Sequence, residues 1–363
     1  MNFKTKPGII ITFIILIIFG LAGCMKDDQW VRDHLQQGPF KLSSSGVFVV
    51  NEGNFMYGNA TLSFYDPLAK QVENDLFYRA NGLPLGDVAQ SMTIRKSSGY
   101  VVINNSGKIY VLDINTGKYS GKITGFTSPR YMHFVNDEKA YVTDLYAGKI
   151  TIVNPSTGQI TSYIPCPVHA STEEMVQSGN RLFVTCWSGD RTVLVVDTST
   201  DQVISEIRTG EQPCGIVLDK YNKIWVLCQA LPGNGSTIYA VLQRIDPVTL
   251  KIEKSYNFPA DTKPVKLCMD GFGENLYFLA GNTVRKMAVT SDALPVKSFI
   301  TLTSKILYGL GIDPVNGDVY VSDALDYQQS GFITRFDSLG NVMDTFRGGI
   351  IPGRFCFKIS SQN

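Results

Sequence analysis

The chain has 363 residues, 44% hydrophobic and 18% charged, and its 33 basic and 32 acidic side chains leave a formal charge of +1 at pH 7. Acids and bases are interspersed with no Lys/Arg stripe, which excludes a phosphate-backbone binder and, with it, nucleic acid as a partner. Length alone allows one large all-β domain or two ordinary ones.

The N-terminus carries Lys4 and Lys6, then an almost unbroken apolar run from Ile9 to Phe19, and then Leu21-Ala22-Gly23-Cys24. A positive start, an apolar stretch and small residues before a cut mark an export signal. The run falls short of the roughly 20 residues a membrane-spanning helix needs, so residues 1–23 are expected to be a cleaved signal peptide. The Leu-Ala-Gly-Cys ending resembles the lipobox of bacterial lipoproteins. That resemblance implies that Cys24 is lipidated and holds the protein on a membrane through acyl chains alone, each buried methylene adding about 0.8 kcal/mol. Lys26-Asp27-Asp28 resembles the short signal that sends lipoproteins of some gut anaerobes to the outer face of the outer membrane. Removing residues 1–23 takes away two lysines and no acid, so the remainder carries −1. Residues 24–45 show no sustained period and end in Lys41-Leu42-Ser43-Ser44-Ser45, the composition of a tether.

From Gly46 onward the sequence repeats itself. Ala140-Tyr-Val-Thr-Asp144, Arg181-Leu-Phe-Val-Thr-Cys186, Lys223-Ile-Trp-Val-Leu-Cys228, Asn275-Leu-Tyr-Phe-Leu279 and Asp318-Val-Tyr-Val-Ser-Asp323 are rich in β-branched and aromatic residues, as strands are. Each except the fourth is followed by a strand closing in Asp or Asn, and such a residue recurs at 66, 113, 154, 197, 246 and 337; the unit near Met287 lacks it. A period in the forties with four short strands per unit predicts propeller blades. The turn chemistry after these residues, as in Asp66-Pro67 and Asn154-Pro155-Ser156-Thr157-Gly158, gives the recurring carboxylate or amide a capping role in a hairpin. Seven units fit residues 46–359, with residues 360–363 a short tail. The fold class is therefore all-β: a seven-bladed β-propeller of four-stranded antiparallel blades. The first unit has only three strands and residues 354–359 form an orphan strand, so the C-terminal strand is expected to close the ring as the innermost strand of blade one, removing exposed edges.

Six cysteines follow Cys24, namely Cys166, Cys186, Cys214, Cys228, Cys268 and Cys356. None has C-x-x-C spacing, and no zinc site is expected. Cys214 and Cys228 flank the turn at residues 219–223 symmetrically and should face each other across a hairpin, as a disulfide or as buried thiols.

Loops joining second to third strands share one face with loops joining successive blades. The long ones lie there: residues 51–59, 228–236 and 322–330. Binding residues concentrate on long loops held by a rigid scaffold. The candidates are Asn51, Asn54, Phe55 and Tyr57 from blade one, Asn104 and Asn105 from blade two, Asp144 and Tyr146 from blade three, Trp187 from blade four, Gln229 from blade five, and Asp323 and Tyr327 from blade seven. Amides with aromatics and little charge suit a large, mostly uncharged ligand bearing amides or hydroxyls, such as a corrinoid or a glycan. No enzyme is expected. Glu173 and Glu174 are adjacent, and in a regular strand they would point to opposite faces. His34, His133 and His169 are scattered, and no Gly-x-Ser-x-Gly, His-Glu-x-x-His or phosphate loop occurs. No metal or cofactor is expected either.

Gly46-Val-Phe-Val-Val-Asn-Glu-Gly-Asn-Phe55 leading to Leu62-Ser-Phe-Tyr-Asp-Pro67, behind the Cys24 signal and ahead of seven repeats, resembles the YncE-like propeller lipoproteins of gut anaerobes. Within that group it resembles the surface cobalamin-binding BtuG lipoproteins. The resemblance spans the whole exported chain and implies capture of a corrinoid at the cell surface and handover to a TonB-dependent outer-membrane transporter. It transfers no individual binding residue. Capture of another nutrient such as a glycan, or a surface-layer or adhesion role, stays open.

Overall fold

The computed structural model describes residues 40–169, 171–229, 239–303 and 306–360. Cys24, the signal segment, the tether up to residue 39, residues 230–238 of the blade-five loop and residues 361–363 of the tail lie outside them.

Seven four-stranded antiparallel sheets form the molecule. Six are runs of four successive strands; blade two, for example, is Ala89–Arg95, Ser98–Ile103, Lys108–Asp113 and Tyr119–Thr124. Blade one combines the two ends of the ring, as the repeat count requires. Pro352–Lys358 pairs with Gly46–Asn51, Val47 facing Phe357 and Val49 facing Phe355. The seven innermost strands touch one another in a closed circle, from Ala89–Arg95 through Pro129–Phe134, Thr172–Ser178, Pro213–Leu218, Pro264–Met269 and Leu307–Ile312 to Pro352–Lys358 and back.

The core lies between blades, and strand alternation builds it. Phe48 and Val50 face blade two and pack with Val101 and Ile103. Val47 and Val49, on the other face of the same strand, pack against Tyr320 and Ile333 of blade seven. Tyr100 and Val102 likewise turn to Met132, Ala140 and Val142 of blade three. Full burial of one such side chain contributes about 1.5–3 kcal/mol, so a ring of seven interfaces sandwiched this way is rigid.

The recurring Asp and Asn residues cap turns. Asp113 Oδ1 accepts from the backbone N–H of Asn115 and Thr116 at 2.9 Å each. Asp66, Asn154, Asp197 and Asp246 repeat the pattern two and three residues on, and Asp337 accepts from Leu339 and Asn341.

Three expectations need correction. Residues 76–81, in a first unit expected to hold strands alone, form a helix, α1 (Leu76–Asn81), which buries Leu76, Phe77 and Ala80 and ends at Gly82 with φ 66°. It packs on Thr61–Asp66 and Tyr119–Thr124, beside the three-residue outer strand Gln71–Glu73. Residues 40–45, assigned to the tether, pack on the propeller: Leu42 is buried, its N–H donates to Asn115 O at 2.8 Å, and Lys358 Nζ donates to Ser43 O at 2.7 Å. Cys214 and Cys228 do not face each other, because Pro213 stands opposite Cys228 and Cys214 occupies a bulge. All six described cysteines are free thiols.

Candidate functional site

One irregularity repeats in every blade. Where the innermost strand pairs with the second, it carries one extra residue at the same level: Gln90 in blade two, and Cys214 in blade five. Residues 130–131 stand opposite one residue in blade three, 173–174 in blade four, 266–267 in blade six and 308–309 in blade seven, and Gly353 is the extra residue in blade one. A bulge re-aims side chains that a regular strand would place on alternate faces. Seven of them at one level feed the mouth of the central channel.

The mouth is a cavity of about 520 Å³. Its wall comes from the bulges, with Arg130, Tyr131, Glu173, Lys266, Tyr308 and Arg354; its rim comes from the ends of second strands and the loops after them, with Glu52, Leu145, Trp187, Gln229 and Tyr327. The expectation of a site short of charge is corrected here. Arg130 Nε contacts both carboxylate oxygens of Glu173 at 2.9 and 3.0 Å, and its Nη1 donates to Gln90 Oε1 at 2.5 Å. Arg354 Nη2 donates to Glu174 Oε1 at 2.6 Å and to the Tyr131 hydroxyl. Glu173 and Glu174 therefore both engage cations of the channel, which the alternation rule for a regular strand forbids and the bulge between Thr172 and Met175 permits. Tyr308 donates to Glu52 Oε2 at 2.8 Å. Burial pushes the Glu173 carboxyl above its usual range even with Arg130 against it.

Three cations thus meet three carboxylates, but Lys266 is not among the ion pairs of the described residues. Its backbone is left-handed at φ 58°, its Nζ lies 3.5 Å from Gly353 O and 4.8 Å from the Tyr308 ring centroid, and burial, reinforced by Arg354, pushes its pKa down to about 8. An ammonium that Glu52 and Glu174 stabilise only from beyond ion-pair distance favours an anionic group arriving from outside. Arg354 Nε is a buried donor with no hydrogen-bond partner among the described residues.

Of the twelve sequence-derived candidates, Trp187, Gln229 and Tyr327 line this mouth. Trp187 Nε1 donates to Gln229 Oε1 at 3.3 Å, and Tyr327 packs edge-on to Tyr308 with centroids 5.8 Å apart. Four others are committed to the scaffold. Buried Asn51 donates to Ser63 Oγ at 2.9 Å and accepts from Gly349 N–H at 2.9 Å. Asn104 Nδ2 donates to Pro129 O at 3.1 Å. Asp144 accepts from the backbone N–H groups of Thr127, Ser128, Tyr146 and Ala147, and Asp323 from those of Ile306 and Leu325. Asn54 and Asn105 tie loops together, donating to Tyr327 O at 2.5 Å and Asp87 Oδ2 at 2.6 Å. Phe55, Tyr57 and Tyr146 are 63%, 77% and 69% exposed and stand outside the lining.

A groove of the same volume lies between blades two and three, lined by Arg95, Lys96, Tyr100 and Ser156 among others. Of its three cations, Arg95 and Lys96 are spent on Asp137 at 2.8 and 2.6 Å and stand exposed, so the channel mouth is the better-built site. Of the described histidines, His133 Nε2 donates to Gln177 Oε1, 2.9 Å away, while His169 joins Cys186 and Asp190 away from the mouth.

A family model described as a domain of unknown function, DUF5074, matches residues 45–346. The chain belongs to the DUF5074 family. This DUF5074 propeller is similar to solved structures that share its fold. A functionally unknown protein from Desulfotomaculum acetoxidans is 16% identical, with 86% of this chain and 99% of that one covered at a TM-score of 0.68. A quinonprotein alcohol dehydrogenase-like protein from Bacteroides thetaiotaomicron is 16% identical, with 87% and 78% covered at 0.64. Apo AztD from Citrobacter koseri is 13% identical, with 86% and 97% covered at 0.56. No curated protein sequence matches the chain.

Proposed function

We propose that this DUF5074 protein is a ligand-binding module, and that the ligand is a corrinoid seated over the channel mouth. In this reading the protein is a lipoprotein anchored through Cys24 on the outer membrane, facing the cell exterior, and it passes its ligand to a TonB-dependent transporter. The observation that carries the binding role is the ring of bulges, which brings Lys266, a cation outside every ion pair of the described residues, beside Tyr308 and to the foot of a rim holding Trp187 and Tyr327. A corrinoid has a broad flat body for aromatic support, amides around its edge, and a phosphodiester in its nucleotide loop. Lys266 offers that anion a countercharge, and Gln229 suits the amides. Such a ligand exceeds about 520 Å³ and would rest across the mouth with one part inserted. Binding is favoured over turnover because each carboxylate of the mouth is already engaged: Glu173 by Arg130, Glu174 by Arg354 and Glu52 by Tyr308.

Calorimetric titration of the full chain with cyanocobalamin tests this. Trp187→Ala is expected to weaken binding by about tenfold or more, the loss typical of a buried aromatic anchor. Lys266→Met should weaken cyanocobalamin but leave cobinamide, which lacks the phosphodiester, unchanged. Absence of binding by the full chain, or equal affinity in both variants, overturns the assignment.

A further inference from the structure

Away from the channel mouth, blade four gathers a second set of chemically able side chains. His169 lies in the segment between Gln159–Pro165 and Thr172–Ser178, Cys186 closes Arg181–Cys186, and Asp190 follows in the next loop. One ligand atom from each of the three lies within 4.8 Å of the others. His169 Nδ1 is 2.6 Å from Asp190 Oδ2, and Glu206, on the outer strand Gln202–Arg208, brings Oε1 to 3.2 Å from His169 Nε2. That last contact is short but poorly aligned, and Nε2 is a buried polar atom with no hydrogen-bond partner among the described residues. His169 is 8% exposed and Cys186 fully buried, whereas the Glu206 side chain is half exposed, which leaves one path from solvent.

We propose that His169, Cys186, Asp190 and Glu206 bind a zinc ion. One nitrogen, one sulfur and two carboxylate oxygens form a four-donor set of the kind zinc takes in tetrahedral sites. Bonds of about 2.0–2.3 Å require donors about 3.5 Å apart, so the 2.6 Å His169–Asp190 pair has to open while the wider separations among His169, Cys186 and Asp190, up to 4.8 Å, have to close. The expectation of no metal rested on the absence of any His/Cys spacing motif; the donors come instead from separate segments that the blade brings together. Without a cation the set is poorly matched: the Asp190 and Glu206 carboxylates both face one imidazole. Zinc would offset that negative charge. On binding, Cys186 loses its S–H proton to solvent and the sulfur lone pair goes to the metal, while His169 coordinates as the neutral ring.

Metal-free full chain titrated with zinc alone is expected to take up one equivalent at the cluster, with a rise in Tm as zinc exceeds its Kd. Cobalt in its place should show a thiolate-to-cobalt charge-transfer band that Cys186→Ser removes. Asp190→Asn, at a less buried position, should weaken zinc by more than about tenfold, the loss that even an outer partner of a ligand can cause. It serves if Cys186→Ser does not fold. No stoichiometric zinc, a charge-transfer band unchanged in Cys186→Ser, or full affinity in Asp190→Asn would leave only a His169 ion pair and overturn the proposal.

Discussion

The hairpin turns into the outer strands and the bulges of the innermost strands both recur around the ring, yet they differ in what is repeated. At the turns the residue recurs: Asp66, Asp113, Asn154, Asp197, Asp246 and Asp337 perform the same capping. At the bulges only the geometry recurs, while the side chains run through Gln90, Arg130, Glu173, Cys214, Lys266 and Tyr308. A repeated residue in a repeated position answers a local backbone need that is the same in every blade. Different residues on a repeated geometry build one composite surface that no single blade has. The comparison predicts that changes at turns alter stability alone, whereas changes at bulges alter stability and binding together.

The largest effect comes from removing the blade that joins both ends of the chain. Deletion from residue 353 onward takes the innermost strand from blade one, Arg354 from the mouth, and the buried Lys358 contact to Ser43. Its partner strand Gly46–Asn51 becomes an open edge. The expected outcome in calorimetry is loss of the cooperative transition seen for the full chain; an unchanged Tm would show that the ring does not depend on this closure.

Next in size is the ion pair between two bulges. Glu174→Gln leaves the Arg354 guanidinium largely buried without its countercharge, which costs about 3 kcal/mol. The double variant Arg354→Met with Glu174→Gln should recover most of that. Urea midpoints of the two variants check it, and a single-variant cost near zero would mean that solvent screens the channel.

Lys266→Met goes the other way. The folded-state pKa of about 8 lies below the ordinary 10.5, so between those values the unfolded chain holds a proton the folded protein has shed, and stability rises with pH across that window. Below about pH 8 the full penalty of the buried ammonium is present. The variant is therefore expected to be more stable than the parent by about 3 kcal/mol at pH 7, with the gain fading toward pH 10.5. Denaturation at pH 7 and pH 10 reads the sign. A variant less stable at pH 7 would mean that Lys266 has an ion-pair partner in the folded state.

The same contrast explains what was readable in the sequence. The period, the turn caps and the closing strand are local patterns or simple counts, and the structure repeats them. The bulges are not local, because an extra residue is defined only against the register of the partner strand. Read with period two, Glu173 and Glu174 separate; read with the bulge, both reach channel cations. Asn51, Asn104, Asp144 and Asp323 looked like ligand groups because amides and carboxylates in loops satisfy backbone and bind ligands with the same atoms. A signal for the missed residues was present: Pro129-Arg-Tyr, Pro264-Val-Lys and Pro352-Gly-Arg each set a proline at the start of a strand and a cation one or two residues on. The helix at Leu76–Asn81 is short enough for its three buried apolar residues to pass for part of a strand.

The smallest predicted effect is the control for the whole comparison. Asn154 Oδ1 accepts from the N–H of Ser156 at 2.9 Å and of Thr157 at 3.2 Å, in a turn that stays partly open to water. Asn154→Ala removes both bonds, but water can satisfy the freed N–H groups, so the cost should be about 1 kcal/mol. The turn leads into Gln159–Pro165, the outermost strand of blade three, while the mouth is lined from Pro129–Phe134, the innermost strand of that blade. Ligand affinity should therefore stay unchanged while the urea midpoint falls. Paired with Lys266→Met, which should raise stability and weaken binding, the two variants move the two quantities in opposite patterns. If Asn154→Ala also weakened binding, the turns would be coupled to the channel through the blade, and the division between repeated residues and repeated geometry would fail.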